Sequence, residues 1–164
     1  TRQHSQLAIL DGHDVVVVDR RQGRYDLPLT DRAGSRHPPV PTGVGLVLLA
    51  HGPTELVEEI LASSFGWPVH ECPRPGAHEV RAQLSEIRRR GVAVVSRPTS
   101  PLTSVAAPIH NRSGTVVAAL AVLVPAEGAD PARLEPAVRT AARGITRTLS
   151  DPHGPRRRLP PWGY

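Results

Sequence analysis

The feature that most constrains this chain is a pair of hairpin signatures set far apart. In the first, QLAIL and DVVVVDR flank DGH, an Asp-Gly turn of the kind that joins antiparallel strands. In the second, SVAAPIHN passes through NRSG into TVVAALAVLV, and VAVVSR precedes it as a further strand across a Pro/Ser/Thr loop. A third strand is expected early, in RYDLPLTD, with Pro28 giving it an edge or irregular position.

Between the hairpins the pattern turns helical. One helix is expected from Thr42 to His51. A second, in GPTELVEEILASS, carries Pro53 in its first turn and Leu56, Ile60 and Leu61 on one side. AHEVRAQLSEIRRRG spaces Val80, Leu84 and Ile87 on a helix that stops at Gly91, its three arginines forming a solvated end that suits the negative dipole. DPARLEPAVRTAARGITRTLS closes the pattern with Asp130 as N-cap, Pro131 in the first turn and Leu134, Val138, Ala141, Ile145 and Leu149 on one face. Two hairpins, intervening helices and a last helix predict an α+β domain with a mostly antiparallel sheet.

Length supports one unit: 164 residues can bury about two thirds of the unfolded surface in one core. Residues 1–150 are expected to form it, with 151–164 a disordered Pro- and Arg-rich tail. No apolar run reaches the roughly eighteen residues of a membrane span, the first residues lack signal-peptide order, and the lone Cys72 forms no internal disulfide; a cytoplasmic, non-membrane protein is expected. The net charge of +5 is carried entirely by arginines over acids, three of them in PRRRLPPWGY, and the others are scattered rather than patched for nucleic acid.

Catalytic constellations are missing. Ser104 and the Ser63–Ser64 pair lack a Gly-x-Ser-x-Gly turn, and nothing resembles a phosphate loop or cofactor motif, so neither an enzyme nor a cofactor is expected. HECPRPGAHE brings His70, Glu71, Cys72 and His78 close in sequence, but with no zinc spacing and two prolines it reads as a loop, not a metal site. GSRHPPVPTGVGLVLLAH poses a different question, because Gly43 and Gly45 each cost about 1 kcal/mol in a helix. Either a neighbouring element approaches that backbone, or an anion rests on the bare N–H groups of the helix start.

In order and spacing, LAILDGHDVVVVDR, GSRHPPVPTGVGLVLLA, LSEIRRRGVAV, SVAAPIHNRSGTVVAALAV and LEPAVRTAARGIT resemble the effector-binding domain of the IclR family of bacterial transcription regulators, from about Leu7 to Leu149. The resemblance implies a GAF-like curved antiparallel sheet flanked by helices, binding a small-molecule effector. It implies self-association as dimer or tetramer, and operator DNA gripped by a preceding winged helix-turn-helix domain, which is expected to be absent from this chain. Carried over residue by residue, it places the pocket at Leu29, His37, Thr42, Gly43, Val44, Val95, Leu102, Ser104, Ala121 and Leu123. Members that bind small keto acids tend to carry Ser-x-Ser where this chain has Ala121-Val122-Leu123, an acid near Val95, and Gly-Lys-Ala where it has Gly45-Leu46-Val47. The departures imply an effector more apolar than pyruvate or glyoxylate, aromatic or medium-sized, with Ser104, Thr42 and His37 as polar anchors. The alternative is an oligomerisation scaffold whose degenerate pocket binds nothing.

Overall fold

The computed structural model describes residues 3–24, 27, 31–63, 74–96 and 100–151. Six strands form one antiparallel sheet: β1 (His4–Asp11), β2 (Asp14–Arg21), β3 (Arg36–His37), β4 (Ala93–Ser96), β5 (Leu102–His110) and β6 (Val116–Pro125), in the order β3-β2-β1-β6-β5-β4. The two hairpins of the sequence are β1–β2 and β5–β6, and they meet at the β1–β6 pairing in the middle of the sheet. Four helices cover it: α1 (Gly43–Ala50), α2 (Thr54–Ala62), α3 (Ala77–Arg90) and α4 (Pro131–Ser150).

Strand alternation divides the core in two. One face presents Ala8, Val15, Ala93, Ala106, Ala119 and Ala121 to α1, α2 and α3. The opposite face presents Val105, Ala107, Ile109, Val122 and Val124 to Val138 and Ala142 of α4. The many alanines on the first face are short enough to let α1 lie close across β1, β4, β5 and β6, so all eight of its residues are buried.

Helix ends reflect local chemistry. Thr42 is the N-cap of α1: its Oγ1 accepts from the Gly45 N–H at 3.0 Å and donates to the Pro39 carbonyl at 3.1 Å. At the other end His51 Nδ1 donates to the Val47 carbonyl at 2.9 Å, and Arg88 of α3 donates to the Ala50 carbonyl. α3 buries Val80, Leu84 and Ile87 as its spacing predicts and ends at Gly91 in the left-handed region, φ 67°.

Several expectations need correction. Within RYDLPLTD, Arg24, Leu27 and Asp31 are not in a strand and the other residues lie outside the described ones; the strand that pairs with β2 is Arg36–His37, opposite Val16 and Val15. Two residues carry too little hydrophobic pattern to signal a strand. Pro53 is the N-cap of α2 rather than a first-turn residue, and its buried side chains are Val57 and Ile60, with Leu56 and Leu61 only partly covered. On α4 the buried pair is Val138 and Ala142; Ala141 is exposed and Leu149 is 55% exposed, so the buried stripe is narrower than the sequence pattern predicts. Nor is Arg88-Arg89-Arg90 simply solvated: besides the Arg88 contact, Arg90 pairs with Glu135 of α4 at 2.6 Å. The tail beyond Asp151 lies outside the described residues.

Candidate functional site

The start of α1 rests on the sheet at β5. A Cβ on Gly43 would stand 2.6 Å from Ser104 Oγ and 3.5 Å from the Ala106 Cβ, while one on Gly45 would stand 2.2 Å from the Pro39 carbonyl oxygen. Both glycines are therefore demanded by close approach, one towards the sheet and one towards the Pro38–Pro41 loop. The same arrangement leaves a bare helix start. Thr42 satisfies the Gly45 N–H, but the N–H groups of Gly43 and Val44 have no acceptor within the helix, and no acidic residue stands in the first turn to oppose the positive end of the dipole.

Register places several sequence-expected residues together beneath that helix start. Val95 lies opposite Ser104, Ser104 opposite Leu123, and Leu123 opposite His4, one continuous row across β4, β5, β6 and β1. The next row is Ala93, Ala106, Ala121 and Gln6. Leu102 opens β5 opposite Pro125, half-buried, one step beyond Ser104 on the same side. Thr42, Gly43, Val44, Val95, Ser104, Ala121 and Leu123 thus occupy one end of one face. His37 is not brought there: it sits on the far edge strand opposite Val15, with Nε2 3.2 Å from Asp31 Oδ1, an ion-pair distance without hydrogen-bond alignment. Leu29 lies outside the described residues.

Two residues that sequence patterns do not single out share this end of the face. Among the described residues the buried polar side chains are His4 at 1% exposure, Gln6 at 7% and Thr103 at 1%. Thr103 donates to Ser96 Oγ at 3.1 Å, whereas His4 and Gln6 close the two rows beneath α1. A signal does exist in HSQLA: strand alternation puts His4, Gln6 and Ala8 on one face, and Ala8 is core.

A cleft of about 180 Å³ lies elsewhere, between the β1–β2 turn at His13 and Asp14, the Pro38–Pro41 loop, the end of α2 and the first turn of α3. It holds none of the effector-site candidates. Arg74 at its rim donates to the Leu61 carbonyl at 2.9 Å, capping α2. Among the described residues no group of three or more His, Cys, Asp or Glu is placed to hold a metal; His78 is exposed on α3, and His70, Glu71 and Cys72 lie outside the described residues. No helix among the described residues is long and apolar enough to cross a membrane.

Arg36 pairs with both Asp11 and Asp14, Arg81 with Glu58, Arg89 with Glu86 and Arg90 with Glu135, so these four guanidinium groups are offset locally. Hydrogen bonding to these carboxylates raises the Arg36, Arg81 and Arg89 guanidinium pKa values, and the same contacts hold the Glu58 and Glu86 carboxyls below their usual range.

A sheet between helices, with a bare helix start lying on one of its faces, is an architecture shared by proteins of many functions, and comparison with known proteins identifies the family. The family model for the bacterial transcriptional regulator IclR C-terminal domain matches residues 1–147. The transcriptional regulator KdgR of Dickeya chrysanthemi is 30% identical over 132 residues, 76% of this chain and 41% of that protein. A putative transcriptional regulator from Rhodococcus sp. RHA1 superposes with a TM-score of 0.81 at 29% identity, covering 90% of this chain and 62% of that one. An IclR homologue from Microbacterium hydrocarbonoxydans, solved in complex with 4-hydroxybenzoate, gives 0.78 at 28% identity, covering 90% and 61%. The chain belongs to the IclR family of bacterial transcriptional regulators, as its C-terminal domain. It spans about half the length of the curated relatives it matches. Those relatives are named as transcriptional regulators, in keeping with the absence of catalytic motifs from the sequence.

Proposed function

We propose that this domain senses a carboxylic acid with an apolar body and, by binding it, alters operator binding through a winged helix-turn-helix segment outside this chain, within a dimer or tetramer. One observation carries the reading: the buried, acid-free start of α1, whose Gly43 and Val44 N–H groups have no helical acceptor, set over Ser104. The carboxylate rests on those N–H groups beside Thr42 and Ser104. The body lies against Val95, Leu102, Ala121 and Leu123, which supply apolar contact and none of the hydroxyls a small keto acid would need. His37, on the far edge strand opposite Val15, takes no part in this reading. The neighbour bound to 4-hydroxybenzoate supports an aromatic acid in particular.

A second reading, a scaffold with a degenerate pocket, is favoured by how closely Gly43 lies on Ser104. Thermal denaturation of the chain with 4-hydroxybenzoate, benzoate, pyruvate and glyoxylate separates the two. A sensor gains RT ln(1 + [L]/Kd), about 2.7 kcal/mol at a hundredfold excess over Kd, with the aromatic acids and much less with the keto acids. A scaffold shows no shift with any of them.

A further inference from the structure

We propose that the cleft beside the Pro38–Pro41 loop is a second ligand site, one that takes a small neutral aromatic molecule, and that Pro39 passes its occupancy to the start of α1. The cleft has a volume of about 180 Å³. An apolar cavity of roughly 150 Å³ is enough to hold benzene, so a single ring fits here. Pro38, Pro39, Pro41 and Pro75 bring four proline rings to its walls, joined by Val40, Leu61 and Val80. Proline rings are surfaces on which aromatic rings pack, the pairing that proline-rich recognition uses with the roles exchanged.

The charged groups along its described walls already have partners. His13 Nε2 stands 3.0 Å from Glu59 Oε2, Asp14 accepts from the Arg36 guanidinium at 3.0 Å, and Arg74 donates to the Leu61 carbonyl at 2.9 Å. Glu79, in the first turn of α3, meets the positive end of that helix's dipole. An ionised ligand would lose its hydration in the cleft and would have to displace one of these contacts to gain a partner of opposite charge, whereas a neutral ring gains by leaving water. Pro39 connects the cleft to α1. Its carbonyl accepts from the Thr42 N–H at 3.0 Å and from the Thr42 hydroxyl at 3.1 Å, and a Cβ on Gly45 would come within 2.5 Å of its Cα. A ligand packed on Pro39 therefore bears on the N-cap of α1, because backbone packed this closely does not shift without moving Thr42 and Gly45.

Amide NMR titration of the chain with toluene and with benzoate, which put a methyl and a carboxylate on the same ring, tests this. Toluene is expected to shift the N–H signals of Val40, Leu61, Ala77 and Val80, with those of Thr42 and Gly45 following the same saturation curve, and to bind there about tenfold more tightly than benzoate. Ala77→Phe puts a ring of the protein's own into the cleft from the half-buried first turn of α3 and abolishes the toluene response. Leu61→Trp does the same from the α2 side should Ala77→Phe fail to fold. Absence of saturable toluene shifts at the cleft, or a response that the folded variants keep, overturns the site. Benzoate binding the cleft as well as toluene overturns its neutral class, and cleft shifts that leave Thr42 and Gly45 unmoved overturn the relay through Pro39. None of these outcomes bears on the carboxylate reading of the α1 start, which is read at Gly43 and Val44 with 4-hydroxybenzoate.

Discussion

Gly43 and Gly45 stand two residues apart in one helical turn yet answer to different neighbours, and their substitutions separate cleanly. A methyl on Gly45 would be driven into the backbone of Pro39, 2.2 Å from its carbonyl oxygen and 2.5 Å from its Cα, atoms that cannot rotate away. Gly45→Ala is therefore expected to destabilise the domain by about 3 kcal/mol, read from urea denaturation. A methyl on Gly43 meets chiefly the Ser104 hydroxyl, which can turn, so Gly43→Ala should cost clearly less stability while weakening acid binding at the helix start. From sequence alone these glycines stand out, but two explanations for them remain. The structure makes close packing the reason for both, and the bare N–H groups come with it. Gln6 shows the opposite case: a polar side chain at 7% exposure gives no sign of itself until its strand face and neighbours are known.

At the scale of elements, what is legible is what periodicity controls. α3 can be read to the residue, since Val80, Leu84 and Ile87 repeat at helical spacing and Gly91 supplies the left-handed stop. β3 cannot, because two residues fixed by pairing with Val15 and Val16 leave no alternation to detect. For α4 the pattern suggests too wide a buried stripe, since apolar spacing alone does not say how much of a helix face its neighbours cover. Nor does charge spacing reveal tertiary partners: Arg88 reads as a solvated helix end but holds the last carbonyl of α1. Arg88→Met should keep α3 helical and lower stability by about 1–2 kcal/mol, measured by chemical denaturation. Arg81 ties α3 to Glu58 of α2, with Nε to Oε1 at 2.8 Å. That hydrogen bond depresses the Glu58 carboxyl in the folded state, so its stabilising contribution is present above the ordinary value of 4.5 and disappears as pH falls through the lower folded value. The melting temperature of wild type is accordingly expected to fall more steeply below pH 4.5 than that of Glu58→Gln.

At the scale of the whole molecule, the two distant hairpins meet at β1–β6, and that single junction assembles the candidate site. Ser104 and Leu123 come from the second hairpin and His4 and Gln6 from the first, while α1 from the segment between them lies over all three strands concerned. In the proposed reading sensing and folding are linked there, since a ligand bound at this junction would join both hairpins to the helix. The direct measurement is an amide NMR titration of the chain with 4-hydroxybenzoate. The largest shifts are expected on the Gly43 and Val44 N–H groups, followed by Ser104, Leu123 and Gln6. Shifts gathered instead around Pro39, Ala77 and Val80, at the cleft on the other side of the loop, or no shifts at saturating acid, would contradict a carboxylate site at the start of α1.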